Sequence, residues 1–280
     1  KIISPYGISG LIGMKIILNM AENNSHNPYI LYEAGEIEFY GKLTLIDSPT
    51  SLSPNKYKAL QYYRLAWKYK YPLAAWSIGQ MLEKGRDRGY CIPEWENLDD
   101  IQLLEMSIDY YQKAAELDCT SAYNSLGNIS SRKNLPSKFK HQLKSPEYYY
   151  KIAAENENIY GMYNYACLLE KKLIKLKYDL NQNSITLSSV KNKIIKTGNL
   201  MIHYYEKSAF LGYPFSYNKL GLYYGGFDES FIANFAKYNI YFVNKNDSKA
   251  RSCFLKAATL QYNNICYIGK YNLAYYYYLN

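Results

Sequence analysis

YYQKAAELDCTSAYNSLGNI, residues 110–129, opens on two large residues, two spacers and two small residues, and closes on Gly127. The six-residue pattern recurs at Tyr62-Tyr63-Arg64-Leu65-Ala66-Trp67, Tyr149-Tyr150-Lys151-Ile152-Ala153-Ala154, Tyr204-Tyr205-Glu206-Lys207-Ser208-Ala209 and Cys253-Phe254-Leu255-Lys256-Ala257-Ala258. Trp67 and Cys253 are its departures. Each copy leads to a second segment that ends on a small residue after an apolar one: Gly79, Gly127, Ala166, Gly221 and Ala274. From the first large residue to that small one the offset is 17 in four copies, 62 to 79, 110 to 127, 149 to 166 and 204 to 221. The fifth, 253 to 274, is 21, which fits an extra helical turn or a longer loop around Tyr262 to Cys266. The distance onward to the next large pair wanders instead, through 31, 22, 38 and 32 residues.

Helix geometry accounts for this. Large and small residues four apart share one face, where the small ones admit a neighbouring helix and the rings fill the space above. A constant offset means two helices held in one register across a short turn, while inserts at the other junction loop out without disturbing the stack. The chain is therefore expected to be all-α, with about five to six stacked helical hairpins and long inter-helix inserts, residues 1–280 forming one solenoid repeat domain.

These residues resemble the Sel-one-like repeat, a relative of the tetratricopeptide repeat, from about Tyr29 to Leu279, with a weaker start from Asn27-Pro28-Tyr29 to Gly41. The chain departs from that pattern at Ala166, Ala274 and Cys253 and in its long inserts. The resemblance implies a right-handed superhelix whose concave face is lined by the first helix of each hairpin, mediating protein–protein contacts with no active site.

Composition is compatible. There are 35 Tyr against 9 Phe and 3 Trp; tyrosine offers a large apolar body with a hydroxyl at a wet edge, which suits a thin helical stack. The net charge of +9 comes from 28 Lys and 5 Arg against 24 acids. That lysine bias suits an AT-rich genome as well as a basic binding surface, and base readers lean on Arg. Cys91, Cys119, Cys167, Cys253 and Cys266 are widely spaced, with no CxxC and no Cys–His cluster, so neither a disulfide framework nor a metal site is indicated. A reducing, cytoplasmic compartment is expected. His203 reads as structural. The apolar stretch from Ile8 to Met20 is too short and polar to span a bilayer.

No phosphate-binding loop, zinc-protease motif or nucleophile elbow occurs, so neither enzymatic activity nor a cofactor is expected. Asp99-Asp100 reads as favouring a helix N-terminus.

The geometry of the related repeat turns the residues two and three before each closing Gly or Ala, and the one after it, into the groove. This places Tyr32, Glu33 and Glu36, then Trp76, Ser77 and Gln80, then Asn124, Ser125 and Asn128, then Tyr163 and Asn164, Asn218 and Lys219, and finally Tyr271, Asn272 and Tyr275 there. Amides on such a surface can bond the backbone of an extended protein or peptide partner, and the aromatics can pack its side chains. The same rings can instead pack between hairpins.

The insert 170–198 carries Lys171, Lys172, Lys175, Lys177, Lys191, Lys193 and Lys196 against Glu170 and Asp179. Leu173, Ile174, Leu176 and Leu180 fall between the lysines at helical spacing. Two readings stand: an amphipathic arm for nucleic acid, anionic lipid or an acidic partner, or a helical excursion with a solvated face.

The functional expectation is a protein- or peptide-binding scaffold. Its rivals are the effector-sensing or dimerising half of a DNA-binding regulator whose N-terminal domain is missing, since the chain opens at Lys1 in mid-repeat, and nucleic-acid binding through the lysines. The uncovered run Tyr275 to Leu279 suggests an end capped by an insert, by a partner or by a second copy in a homodimer.

Overall fold

The computed structural model describes residues 10–23, 25–40, 54–84, 90, 92–182, 185–226, 235, 237–260, 270 and 272–274. Cys91, Cys266, Tyr271, the expected extra turn around Tyr262 to Cys266 and the run Tyr275 to Leu279 lie outside these residues. No strand occurs among the described residues.

The chain falls into two compact units, Lys1–Leu126 and Gly127–Asn280. The first contains α1 (Gly10–Glu22), α2 (Pro28–Tyr40), α3 (Lys56–Lys68), α4 (Pro72–Lys84), α5 (Asp100–Ala115) and the start of α6 (Thr120–Ser130). Its core gathers Leu31, Leu60, Tyr63, Ile78, Met81 and Leu103. The second contains the rest of α6, then α7 (Ser137–Gln142), α8 (Pro146–Glu155), α9 (Ile159–Asn181), α10 (Leu187–Phe210), α11 (Pro214–Gly225) and α12 (Asp247–Thr259). Its core gathers Tyr165, Leu169, Leu173, Ile194, Tyr205 and Phe254.

The constant offset of 17 is the work of one turn. After the first small residue of each pattern, the residue four places on adopts a left-handed conformation: Lys70, Asp118 and Glu157 at φ 59° and Gly212 at φ 91°. The next backbone N–H returns to the carbonyl of that small residue, from Tyr71 to Ala66, Cys119 to Ala114, Asn158 to Ala153 and Tyr213 to Ser208, at 2.9–3.2 Å. The left-handed residue's own N–H bonds the carbonyl three back, as in Lys70 to Trp67 and Gly212 to Ala209. This is a Schellman ending, and it satisfies carbonyls that a helix C-terminus would leave unpaired. The side chains also fit here: a Cβ on Gly161 would stand 2.5 Å from the Cβ of Ala153, so the start of α9 lies directly on the small face of α8.

Asp99 caps α5 in a closed capping box, its Oδ1 accepting from the Gln102 N–H at 2.7 Å while Gln102 Oε1 accepts from the Asp99 N–H at 2.8 Å. The acidic pair therefore has the helix-starting role that its position implies.

The insert is built into the repeat instead of looping out from it. α9 has 23 residues and α10 has 24, so residues 170–198 lengthen both helices of consecutive hairpins. The two helices pack on each other, burying Leu173, Leu180 and Ile194. Ile174 faces water at 50% exposure. The extension is thus helical, with Leu173 and Leu180 on its buried side.

Candidate functional site

Each closing Gly is a landing place for the next first helix. A Cβ on Gly35 would stand 2.5 Å from Tyr63 Cε1, on Gly79 2.7 Å from Tyr111 Cε1, on Gly127 2.5 Å from Tyr150 Cε1, and on Gly221 2.5 Å from Phe254 Cε1. The second large residue of each pattern therefore lies flat on the preceding hairpin, across the junction of variable length. Sequence spacing pairs the small residues with the fixed turn; the close approach that requires glycine is on the other side.

The ring hydroxyls find partners one or four places after the small residue they cover. Tyr63 donates to Glu36 at 2.6 Å, Tyr111 to Glu83 at 2.7 Å, Tyr150 to Asn128 at 2.9 Å and Tyr205 to Glu170 at 2.7 Å. Phe254 has no hydroxyl, and the equivalent positions after Gly221 are Leu222 and Gly225. Burial and the Glu36 charge push the Tyr63 phenol well above its usual range; burial also raises Glu36, whose hydrogen bonds from Tyr63 and Tyr32 offset the rise. Glu33, half-buried, is raised for the same reason.

The expected groove residues of each unit lie on its second helices, and not on the first helices that the resemblance assigns to the concave face; several of them touch groove positions one hairpin on. In the first unit, the Trp76 indole N–H donates to Ser125 Oγ at 3.0 Å. Tyr32 is 8% exposed, and burial together with Glu36 raises its phenol strongly. Asn124 is 9% exposed, whereas Gln80 is half-buried. In the second unit, the Asn164 amide donates to Asn128 Oδ1 at 3.3 Å, and Asn272 donates to Asn218 Oδ1 at 2.7 Å. Tyr163 sits among the rings of Tyr205, Tyr213 and Phe215, 5.0–6.0 Å between centroids. The Lys219 ammonium lies 3.0 Å from Glu170 Oε1, so one buried carboxylate receives both this cation and the Tyr205 hydroxyl.

Trp76, Tyr32, Asn218 and Tyr163 thus hold hairpins together. Glu33, Gln80, Asn128, Asn164 and Lys219 keep partial or full exposure on that face. Glu83 and Glu170, which accept from the Tyr111 and Tyr205 hydroxyls respectively, fall four places beyond the closing residue and outside the sequence template.

The lysines of the extension divide. Lys171, Lys175, Lys191, Lys193 and Lys196 are exposed, while Lys177 is half-buried and Lys172 is bonded to Glu147. His203 is exposed beside the Tyr204 ring. Burial raises the thiols of Cys119, Cys167 and Cys253, the last to about 11, leaving them protonated near neutrality. Among the described residues no cluster of His, Cys, Asp and Glu is placed to hold a metal ion, and no helix is long and apolar enough to cross a membrane.

No protein-family model matches the chain. No curated protein matches it either. Solved structures do. A protective antigen of uropathogenic Escherichia coli strains displaying an SLR fold aligns at a TM-score of 0.59 and 18% identity over 99% of this chain and 47% of the antigen. A Sel1 repeat protein from Oxalobacter formigenes aligns at 0.52 and 15% over 88% and 83%. The chain therefore spans about half the length of the antigen. At these identities the likeness is one of fold, the all-α repeat fold that the motifs imply.

Proposed function

Taking the Sel1-repeat fold as premise, we propose that the chain is a binding scaffold whose second helices present a face to an extended protein segment. The observation that carries this is the lateral register of those helices: Trp76 meets Ser125, Asn164 meets Asn128 and Asn272 meets Asn218, across 49, 36 and 54 residues of sequence. Groove positions of neighbouring second helices thus stand side by side within each unit, offset by one or three residues, and offer amides and carboxylates at the spacing of stacked helices, roughly 8–10 Å. Amides arrayed this way can donate to and accept from an extended backbone. Packing has fixed the aromatic residues, so the recognising groups are the accessible polar ones, Glu33, Gln80, Asn128, Asn164 and Lys219.

A photo-crosslinking residue placed at Gln80 or Asn164, with Lys68 on a first helix as control, tests this in cells. One protein should be captured from the two second-helix positions and absent from the control. Equal capture from all three, or capture from Lys68 alone, would sink the assignment of the face.

A further inference from the structure

The last copy of the repeat pattern lacks the ring that opens the others. Tyr62, Tyr149 and Tyr204 are buried at that position and Tyr110 is half-buried, whereas the last copy has Cys253. What such a ring packs on is visible one hairpin earlier. There Tyr204 meets Tyr165, the residue before the closing Ala166, edge to face at 5.2 Å between centroids. The matching residues one hairpin on are Cys253 and Leu220, in a register fixed by Phe254 on Gly221. Neither has a ring, and a cleft of about 260 Å³ opens beside them. Its lining residues fall on one face of each helix at spacings of three and four: Glu206 and Phe210 on α10, Tyr217, Leu220 and Tyr224 on α11, Lys249 and Cys253 on α12.

The cations that accompany such a ring are still present. In the first copy Lys58, four places before Tyr62, lies over that ring at 5.8 Å. In the second Lys113, three places after Tyr110, lies over its ring at 5.6 Å. The last copy has lysines at both positions, Lys249 and Lys256, and they rest on Tyr224 and Tyr217 of α11 instead, at 5.1 Å and 5.2 Å. Lys58 and Lys113 also meet carboxylates, Glu38 at 3.0 Å and Asp109 at 2.6 Å. Among the described residues no ion pair involves Lys249 or Lys256. Glu206 accepts from the Tyr224 hydroxyl at 2.9 Å. At the rim Phe210 is 87% exposed, where the other copies carry exposed polar residues, Lys68, Glu116, Glu155 and Thr259.

We propose that this cleft receives an aromatic side chain from an acidic segment of a partner protein, the foreign ring standing where the other copies keep their own tyrosine. An apolar cleft bordered by rings and by two ammonium groups without carboxylates is complementary to a ring flanked by acids. Its volume suits one anchoring side chain of a larger partner, since pockets that enclose small molecules run to roughly 300–1,000 Å³. The site is separate from the second-helix face. At about 100° per residue, α11 turns Tyr217, Leu220 and Tyr224 into the cleft and Asn218 and Lys219 to its other side.

The test uses the full chain and a short synthetic peptide of aspartates and glutamates around one fluorotryptophan, followed by fluorine NMR. The fluorine signal should shift or broaden on titration with the chain. Unlabelled peptides with alanine at the centre, or with lysines in place of the acids, should compete at least about tenfold more weakly than the unlabelled parent peptide. Cys253→Tyr gives the chain its own ring and should abolish binding with helicity unchanged, because tyrosine holds this position in the other copies. Lys249→Glu with Lys256→Glu, both at exposed sites, should weaken binding by about tenfold or more. A peptide signal that the chain leaves unchanged overturns the proposal, as does equal competition by the alanine peptide or binding that survives Cys253→Tyr. Should Cys253→Tyr lose helicity, the lysine reversal decides, and undiminished binding to it overturns the proposal. Indoleacetate competing as well as the peptide would assign the cleft to a free aromatic acid and would equally overturn it.

Discussion

The Tyr111 ring lies across Gly79 so closely that a Cβ there would stand 2.7 Å from Cε1 and 3.3 Å from the Ser107 carbonyl oxygen. Tyr111 is fully buried and its hydroxyl is fixed on Glu83, so the ring cannot withdraw. Gly79→Ala gains about 1 kcal/mol of helix propensity. It incurs overpacking of about 1–3 kcal/mol. A net loss of up to about 2 kcal/mol is expected in urea denaturation, and Tyr111→Phe, which removes only the hydroxyl bond, should cost about 1–2 kcal/mol.

Lys70, Asp118 and Glu157 occupy a left-handed conformation that costs an L-residue about 1–2 kcal/mol. Glycine there avoids that strain while losing about 0.5–1 kcal/mol in chain entropy. Lys70→Gly and Glu157→Gly should therefore stabilise the protein by about 0.5–1 kcal/mol, read as a raised thermal midpoint. Asp118→Gly should gain least, since aspartate tolerates this region, and Gly212→Ala should lower the midpoint.

Burial raises Glu36 above its unfolded value of 4.5. A raised carboxyl contributes stability that is fully present below the unfolded value and lost as pH rises through the folded one. Glu36→Gln keeps an acceptor for the Tyr63 hydroxyl and removes the buried charge. Its urea midpoint should match that of the parent near pH 4 and exceed it increasingly as pH rises to neutrality. A constant difference across that range would remove Glu36 as the cause.

Leu173→Ala and Ile194→Ala, in the extended helices, should each cost about 2–5 kcal/mol. Ile174→Ala, one residue along, should change stability by less than about 0.5 kcal/mol. Equal, small effects at all three would mean that the extension does not pack.

Much of this architecture is legible in the sequence because one junction repeats without variation. The large pair, the small pair and the closing Gly or Ala mark both helices of four hairpins, and the offset of 17 records the turn. What produces that turn was hidden: three of its four left-handed positions carry Lys, Asp or Glu, where glycine would have announced them. The partner of the closing Gly was hidden for a different reason. Tyr111 lies 32 residues after Gly79 and Tyr150 lies 23 after Gly127, so no periodicity connects ring to glycine. The candidate face was readable as a set of positions, but not which members hold the stack together, because Trp76 and Gln80 differ only in what lies one hairpin on. In the insert, Leu173 and Leu180 showed helical spacing, yet only their contact with α10 distinguishes a longer hairpin from a separate arm.

Because each ring is matched to its own predecessor, hairpins of this chain are not interchangeable cassettes. Phe254 suits the Leu222 and Gly225 surroundings, whereas a tyrosine from another hairpin, transplanted there, would bring a hydroxyl to two positions that carry no acceptor side chain. Recombination within such a gene would be tolerated only when the break falls in the fixed turn and the swapped neighbours arrive together, so the order of the hairpins is an inherited property of pairs.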